Sequence, residues 1–333
     1  MKYCFLIDTG LGNLINKIDL FKQLVAQGVK FRIVADSPCA DLIMSLTGIK
    51  CTDFSEFKSQ VRDRAEVFVL FYDCLRVKFL KVILFRNAVI QIDPRVSLFR
   101  RALASLSYFS KPILGKRIFV IDKHSHEKWN CIDLLIKVSG VNLNCNYSSP
   151  KLSPQCDDLV VVQCGVANGR PTIKNLSPET LAKIVEELIV IYKQKVILVG
   201  SSGDIPYANM VQENLSRVTH APDALQFHIG DLTVEQITLL VKDCSKVIAM
   251  DSFMGHLAAY FGKNLIWIGG VGAFFRTRPL GDPKNIKYIF PLTHQNLLQD
   301  TVIREEIAVS RYGIYKPLET VNLSEIYSVF EVS

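Results

Sequence analysis

Residues 230–270 read GDLTVEQITLLVKDCSKVIAMDSFMGHLAAYFGKNLIWIGG, and the order of elements in this stretch decides the fold. Thr233-Val234-Glu235-Gln236 is a capping box, which satisfies two free N–H groups at a helix start. It opens a helix through Ile237, Leu240 and Val241. Lys246–Met250 (KVIAM) is a short apolar run of strand type, ended by Asp251-Ser252. Met254–Phe261 reads as a second helix. Asn264–Ile268 (NLIWI) is the next strand, stopped by Gly269-Gly270. Strands of this kind, alternating with helices, form a parallel sheet covered on both faces.

The same alternation extends outward in both directions. Asp158–Gln163 (DLVVVQ) is a strand running into Cys164-Gly165. Ser177-Pro178-Glu179 starts a helix, with Ser as N-cap and Pro in the first turn. Leu181, Ile184, Val185 and Leu188 form its buried stripe. Lys195–Val199 is a further strand, ending in Gly200-Ser201-Ser202-Gly203-Asp204. Toward the N-terminus, Tyr147–Gln155 (YSSPKLSPQ) has the Ser and Pro content of a linker. Before it, Tyr3–Ile7 is a strand, followed by a helix with Leu14, Ile18, Phe21, Leu24 and Val25 on one face and Gly28 as its cap. Lys30–Ala35, Val67–Phe71, Val89–Ile92 and Arg117–Ile121 are further strands. The expected fold class is α/β: two Rossmann-like, doubly wound domains, residues 1–150 and 151–333, facing each other across a cleft.

The composition agrees. A chain of 333 residues, 49% hydrophobic and 21% charged, can build two cores and is neither disordered nor a disulfide scaffold. It lacks an apolar run long enough for a spanning helix, and Met1–Asn13 lacks a signal-peptide cleavage site. The nine cysteines include no CxxC pair, so they read as reduced thiols of a cytoplasmic protein. His124 and His126 form the one close histidine pair and have no third ligand, so no metal is expected. Charge is uneven: residues 1–150 hold 22 Lys/Arg against 13 Asp/Glu, and residues 151–333 hold 17 against 19. The excess is densest in Arg76–Lys111, which suits either a solvated face or a surface for anionic partners.

Two groups of residues at strand ends carry chemistry. Gly10-Leu11-Gly12 follows the first strand and opens a helix, where glycines permit a tight turn and close approach of a ligand. Asp36 follows the second strand, where a dinucleotide-binding domain holds its ribose. That makes a nicotinamide-dependent oxidoreductase a rival reading, although the third glycine of GxGxxG falls on Ile15. The second group is Asp251-Ser252-Phe253-Met254-Gly255-His256-Leu257-Ala258-Ala259.

That box resembles the D-[ST]-G-x-x-H-x-[AT]-A signature of glycosyltransferase family 9, the ADP-heptose:lipopolysaccharide heptosyltransferases. Looser likenesses follow in the family's order. Gly12-Asn13 stands at its L-G-D turn and His126–Asn130 at its H-E-x-x-N segment. Lys174–Pro178 stands at its K-x-W-P segment and Arg278–Gly281 at its proline-glycine turn. The resemblance implies a GT-B fold and an inverting, metal-independent transfer without a cofactor. It implies ADP-heptose as donor, on the C-terminal domain, and a lipid-linked lipopolysaccharide core acceptor on the basic N-terminal domain. The protein would then be cytoplasmic and peripheral to the inner face of the inner membrane, and would bind no nucleic acid.

The donor residues so implied are Lys174, Asp251, Ser252, Met254, Gly255 and His256. Lys174 would bring its charge from across the cleft, and the amides of Met254–His256 would donate to phosphate. Gly10 and Gly12 form the acceptor-side loop. Two positions depart from the family. Phe253 replaces the box glycine, and Asn13 replaces the aspartate suited to deprotonating the acceptor. An amide cannot act as a general base. Either Asp8 takes the role, or Asn13 only binds acceptor, or the chain is a non-catalytic glycan-binding descendant.

Overall fold

The structure, a computed structural model, describes residues 2–54, 56–57, 66–71, 88–92, 117–122, 125–143, 156–166, 174–215, 223–269, 277–290 and 321–331. The basic side chains of Arg76–Lys111, the linker Tyr147–Gln155, His124 and Gly270 lie outside these residues. The chain divides into two compact units, Met1–Asn146 and Tyr147–Ser333.

The first unit holds a five-stranded sheet in the order β2-β1-β3-β4-β5. Its strands are β1 (Lys2–Ile7), β2 (Phe31–Ala35), β3 (Glu66–Leu70), β4 (Ala88–Ile92) and β5 (Arg117–Val120). All neighbours pair in parallel. β1 is buried from Tyr3 to Ile7, as expected for a strand covered on both faces. Helix α1 (Leu11–Ala26) crosses over to β2 and buries Leu14, Ile15, Ile18, Phe21 and Leu24. Val25, expected on that face, is 54% exposed. At 100° per residue, Leu24 takes the inward position and turns Val25 out. Gly28, at φ 71°, follows the helix end.

Helix α2 (Ser37–Thr47) begins at Asp36, whose carboxylate accepts from Cys39 N. The residue expected at a ribose is therefore a helix N-cap. Helix α3 (Glu127–Ser139) is capped by His126, whose Nδ1 accepts from Lys128 N at 3.0 Å. Asn130 locks the same corner. Its Oδ1 accepts from Asp122 N at 2.8 Å, and its Nδ2 donates to Asp122 O at 3.0 Å.

The second unit holds a six-stranded sheet, β11-β10-β9-β6-β7-β8, again parallel throughout. Its strands are β6 (Cys156–Gln163), β7 (Lys195–Gly200), β8 (Leu225–Ile229), β9 (Cys244–Met250), β10 (Asn264–Ile268) and β11 (Ile286–Ile289). Helix α4 (Pro178–Val190) carries the Ser177 cap on Thr180 N and buries Leu181, Ile184, Val185 and Leu188 almost fully. Each such side chain stabilises the unit by about 1.5–3 kcal/mol. Helix α5 (Ile205–Asn214) follows β7. Helix α6 (Val234–Asp243) has both bonds of the Thr233 capping box. Helix α7 (Phe253–Tyr260) follows β9, and the short α8 (Leu323–Tyr327) packs near the C-terminus.

Both sheets reverse direction once. In the first, the chain builds β1 then β2 on one side and returns to β3 on the other. In the second it builds β6, β7 and β8, then returns to β9 beside β6. The carboxyl ends of β1/β3 and of β6/β9 are thus topological switch points, where doubly wound sheets bind ligands. Among the described residues, no helix is long and apolar enough to cross a membrane.

Candidate functional site

In the second unit, the candidate site lies at the β6/β9 switch point. Gln163 ends β6 and is 7% exposed. Its Oε1 accepts from Met250 N at 3.1 Å and from the Ser252 hydroxyl at 2.6 Å, and its Nε2 donates to Gly165 O at 2.8 Å. Its amide therefore fastens the end of β9 to the end of β6. Sequence reasoning missed Gln163. The available signal is a lone polar residue closing the apolar run VVVQ.

Asp251 follows β9, and its Oδ2 lies 3.1 Å from Lys174 Nζ. Lys174 belongs to this same unit and sits beside the box, so it needs no cleft to reach it. The pair is largely enclosed, at 23% and 10% side-chain exposure. Ser252 is the N-cap of α7 with extended backbone, but its hydroxyl serves Gln163 and makes no cap bond. Ser252 therefore does not cap the first turn of α7, which lies at the positive end of a helix dipole.

The helix starts at Phe253, one residue before the expected Met254. Met254 and His256 are each 5% exposed. Met254 and Gly255 can therefore serve a ligand through their backbone only. Gly255 has a packing reason to be glycine, since a Cβ there would meet Trp267 Cδ1 at 2.8 Å. Behind the site, Gly165 adopts φ 87°, and a Cβ would meet Asp204 Oδ1 at 2.5 Å. Asp204 in turn accepts from Ser201 N at 2.8 Å and from its hydroxyl at 2.6 Å. The turns after β6 and β7 are packed on each other.

In the first unit, Asp8 follows β1 directly and is half-buried. Gly10 is the N-cap of α1 at φ −65°, with open space around its missing Cβ. The tight-turn reason expected for this glycine therefore does not hold. Gly12 and Asn13 lie in the first turn of α1. Asn13 O accepts from Lys17 Nζ at 3.0 Å, and Lys17 Nζ lies 3.5 Å from Glu127 Oε1. Lys17 and Glu127 are 0% and 1% exposed. This buried pair ties the Asn13 turn to the start of α3. Among the described residues, no group of three or more His, Cys, Asp or Glu could hold a metal ion.

The fold is that of the GT-B glycosyltransferases, two Rossmann-like α/β units in one chain. Three solved structures illustrate it. The family 9 glycosyl transferase of Veillonella parvula has a TM-score of 0.70 and 14% identity, over 100% of this chain and 98% of that one. E. coli ADP-heptose lps heptosyltransferase II has 0.66 and 14%, over 95% and 98%. E. coli heptosyltransferase WaaC, solved with ADP, has 0.64 and 14%, over 94% and 98%. At this identity the likeness is one of fold. No protein-family model and no curated protein matches the sequence.

Proposed function

We propose that the protein is an inverting glycosyltransferase that takes its sugar from a nucleoside diphosphate. One observation carries the reading: the Lys174–Asp251 pair and the Gln163–Ser252 bond meet at the β6/β9 switch point, at the start of α7, which Ser252 does not cap. As the bond from the anomeric carbon to phosphate breaks, negative charge builds on the diphosphate. Fixed N–H dipoles and the Lys174 ammonium stabilise that charge without reorganising. Asp251 holds the lysine in place, and His256, one turn into α7, is the remaining donor. An acceptor oxygen attacks the anomeric carbon from the opposite face. Its proton passes to a carboxylate, which we assign to Asp8 because Asn13 cannot accept it.

ADP-heptose is the donor this reading favours, supported by the box resemblance and by a neighbour of the same fold that was solved with ADP. Residues 151–333 then bind the donor. Residues 1–150, with their basic excess, bind an anionic lipid-linked core oligosaccharide at the cytoplasmic membrane surface. The Asp36 cap removes the acid that a nicotinamide enzyme would place at the ribose. A thermal-shift titration tests the donor assignment. At about 100 times the dissociation constant, ADP should stabilise the fold by about 2.7 kcal/mol. EDTA should leave the shift and the transfer unchanged. No shift with ADP, ADP-heptose or another nucleotide sugar overturns the assignment.

A further inference from the structure

Three side chains that the donor site does not use line up along the opposite, N-terminal edge of the second sheet. Cys156 opens β6 and Cys244 opens β9, and the two are direct register partners in neighbouring strands. Lys263 immediately precedes β10, on the other side of β9. Both cysteines are free thiols, Cys156 exposed and Cys244 wholly buried. Lys263 is also wholly buried, and its Nζ meets no hydrogen-bond partner among the described residues. A buried amine without a partner is costly, and its site calls for another use.

We propose that Cys156 and Cys244 are a thiol–disulfide modification site, closed by a low-molecular-weight disulfide such as oxidised glutathione, with Lys263 as proton acceptor for the buried thiol. Adjacent strands lie about 4.8 Å apart, within the ~4.4–6.8 Å span between Cα atoms that a disulfide bridges. The register shifts between Cys156 and Val160, which leaves slack at the start of β6. Cys156, as the exposed partner, reacts first. Its thiolate attacks oxidised glutathione, one glutathione thiolate leaves, and a mixed disulfide remains.

Cys244 then gives up its bond to Val241 O and attacks the Cys156 sulfur. The second glutathione leaves as thiolate and takes up the proton that Lys263 had accepted. Two protein thiols are oxidised and one glutathione disulfide is reduced to two thiols. Burial pushes the Cys244 thiol up to about 12, and the charge of Lys263 opposes that rise. Burial also lowers the Lys263 ammonium from its ordinary range. The thiol then holds its proton more tightly than the amine does, so the transfer runs uphill and closure of the disulfide draws it forward.

The test equilibrates the full chain with oxidised glutathione, blocks remaining thiols and maps the unreduced digest by mass spectrometry. The expected result is a peptide pair joining Cys156 to Cys244, with two titratable thiols lost and both recovered with dithiothreitol. Because the bridge spans distant sequence positions, Tm should rise by several degrees. Cys156→Ser, at an exposed position, should abolish the cross-link without harming the fold. Lys263→Met should slow ring closure while leaving glutathione addition at Cys156 unchanged. Arrest at the mixed disulfide in the wild-type chain, or no linked peptide, overturns the proposal. Equal closure rates with Lys263→Met overturn the part given to the lysine.

Discussion

The Ser252 hydroxyl donates to Gln163 Oε1 across 2.6 Å, joining two strand ends that are neighbours in the sheet but far apart in sequence. The same oxygen accepts from Met250 N. Gln163→Met keeps the volume and removes the one oxygen that accepts both bonds. Leaving buried donors without partners costs about 1–3 kcal/mol. Tm should fall by about 2–4 °C per kcal/mol for a unit of this size. ADP should also bind more weakly, because the start of α7 loses its tether. Unchanged melting and unchanged ADP affinity would show that the bond positions nothing.

Lys174→Ala and His256→Ala should each slow transfer. Loss of one well-placed donor to developing charge raises the barrier by about 2.7–4 kcal/mol. Lys174→Ala carries a second signature, since it leaves Asp251 without its ion-pair partner where the proposed donor would place its diphosphate. Nucleotide affinity should therefore fall with Lys174→Ala and recover in part when Asp251→Asn is added. Steady-state kinetics and a binding titration on all three variants check this. Affinity that stays low in the double variant would separate the lysine from the aspartate.

The base is tested by a pair of variants. With Asp8 as base, Asp8→Asn should reduce turnover by about 10²–10⁴-fold while ADP binding survives. Asn13→Asp should then be neutral or harmful, because a second nearby carboxylate raises the pKa of the first. A gain of turnover in Asn13→Asp, with little effect of Asp8→Asn, would reverse the assignment.

The sequence-level charge split predicts salt-sensitive binding to anionic vesicles through residues 1–150. With a Debye length of about 10 Å at 0.1 M salt, association should fall steeply as salt rises. Flotation with vesicles of phosphatidylglycerol at several salt concentrations measures it. Salt-independent binding, or none at low salt, would leave the basic cluster as a solvated face.

Long-period signals were legible in the sequence and single-residue geometry was not. The α4 stripe and the Thr233 capping box are set by spacing along one element, and the structure has both. Asp36 shows the limit, because an acid after a strand suits a ribose or a helix N-cap equally. Only the bond to Cys39 N separates the two. Strands β8 and β11 escaped notice because they are the edge strands of the sheet and are short and partly exposed, so apolar continuity is weak. The partnership of Lys174 with Asp251 spans elements distant in sequence, and no local pattern encodes it.

The buried Lys17–Glu127 pair bears on chimeras of this fold. It makes the turn around Asn13 depend on a helix that begins more than a hundred residues later. A graft carrying only the first strand, its turn and α1 into another scaffold would bring a buried ammonium without its carboxylate. Breaking such a pair costs about 3–5 kcal/mol, enough to misplace the turn it was meant to transfer. The smallest portable piece of this loop is therefore discontinuous, and Glu127 has to travel with it.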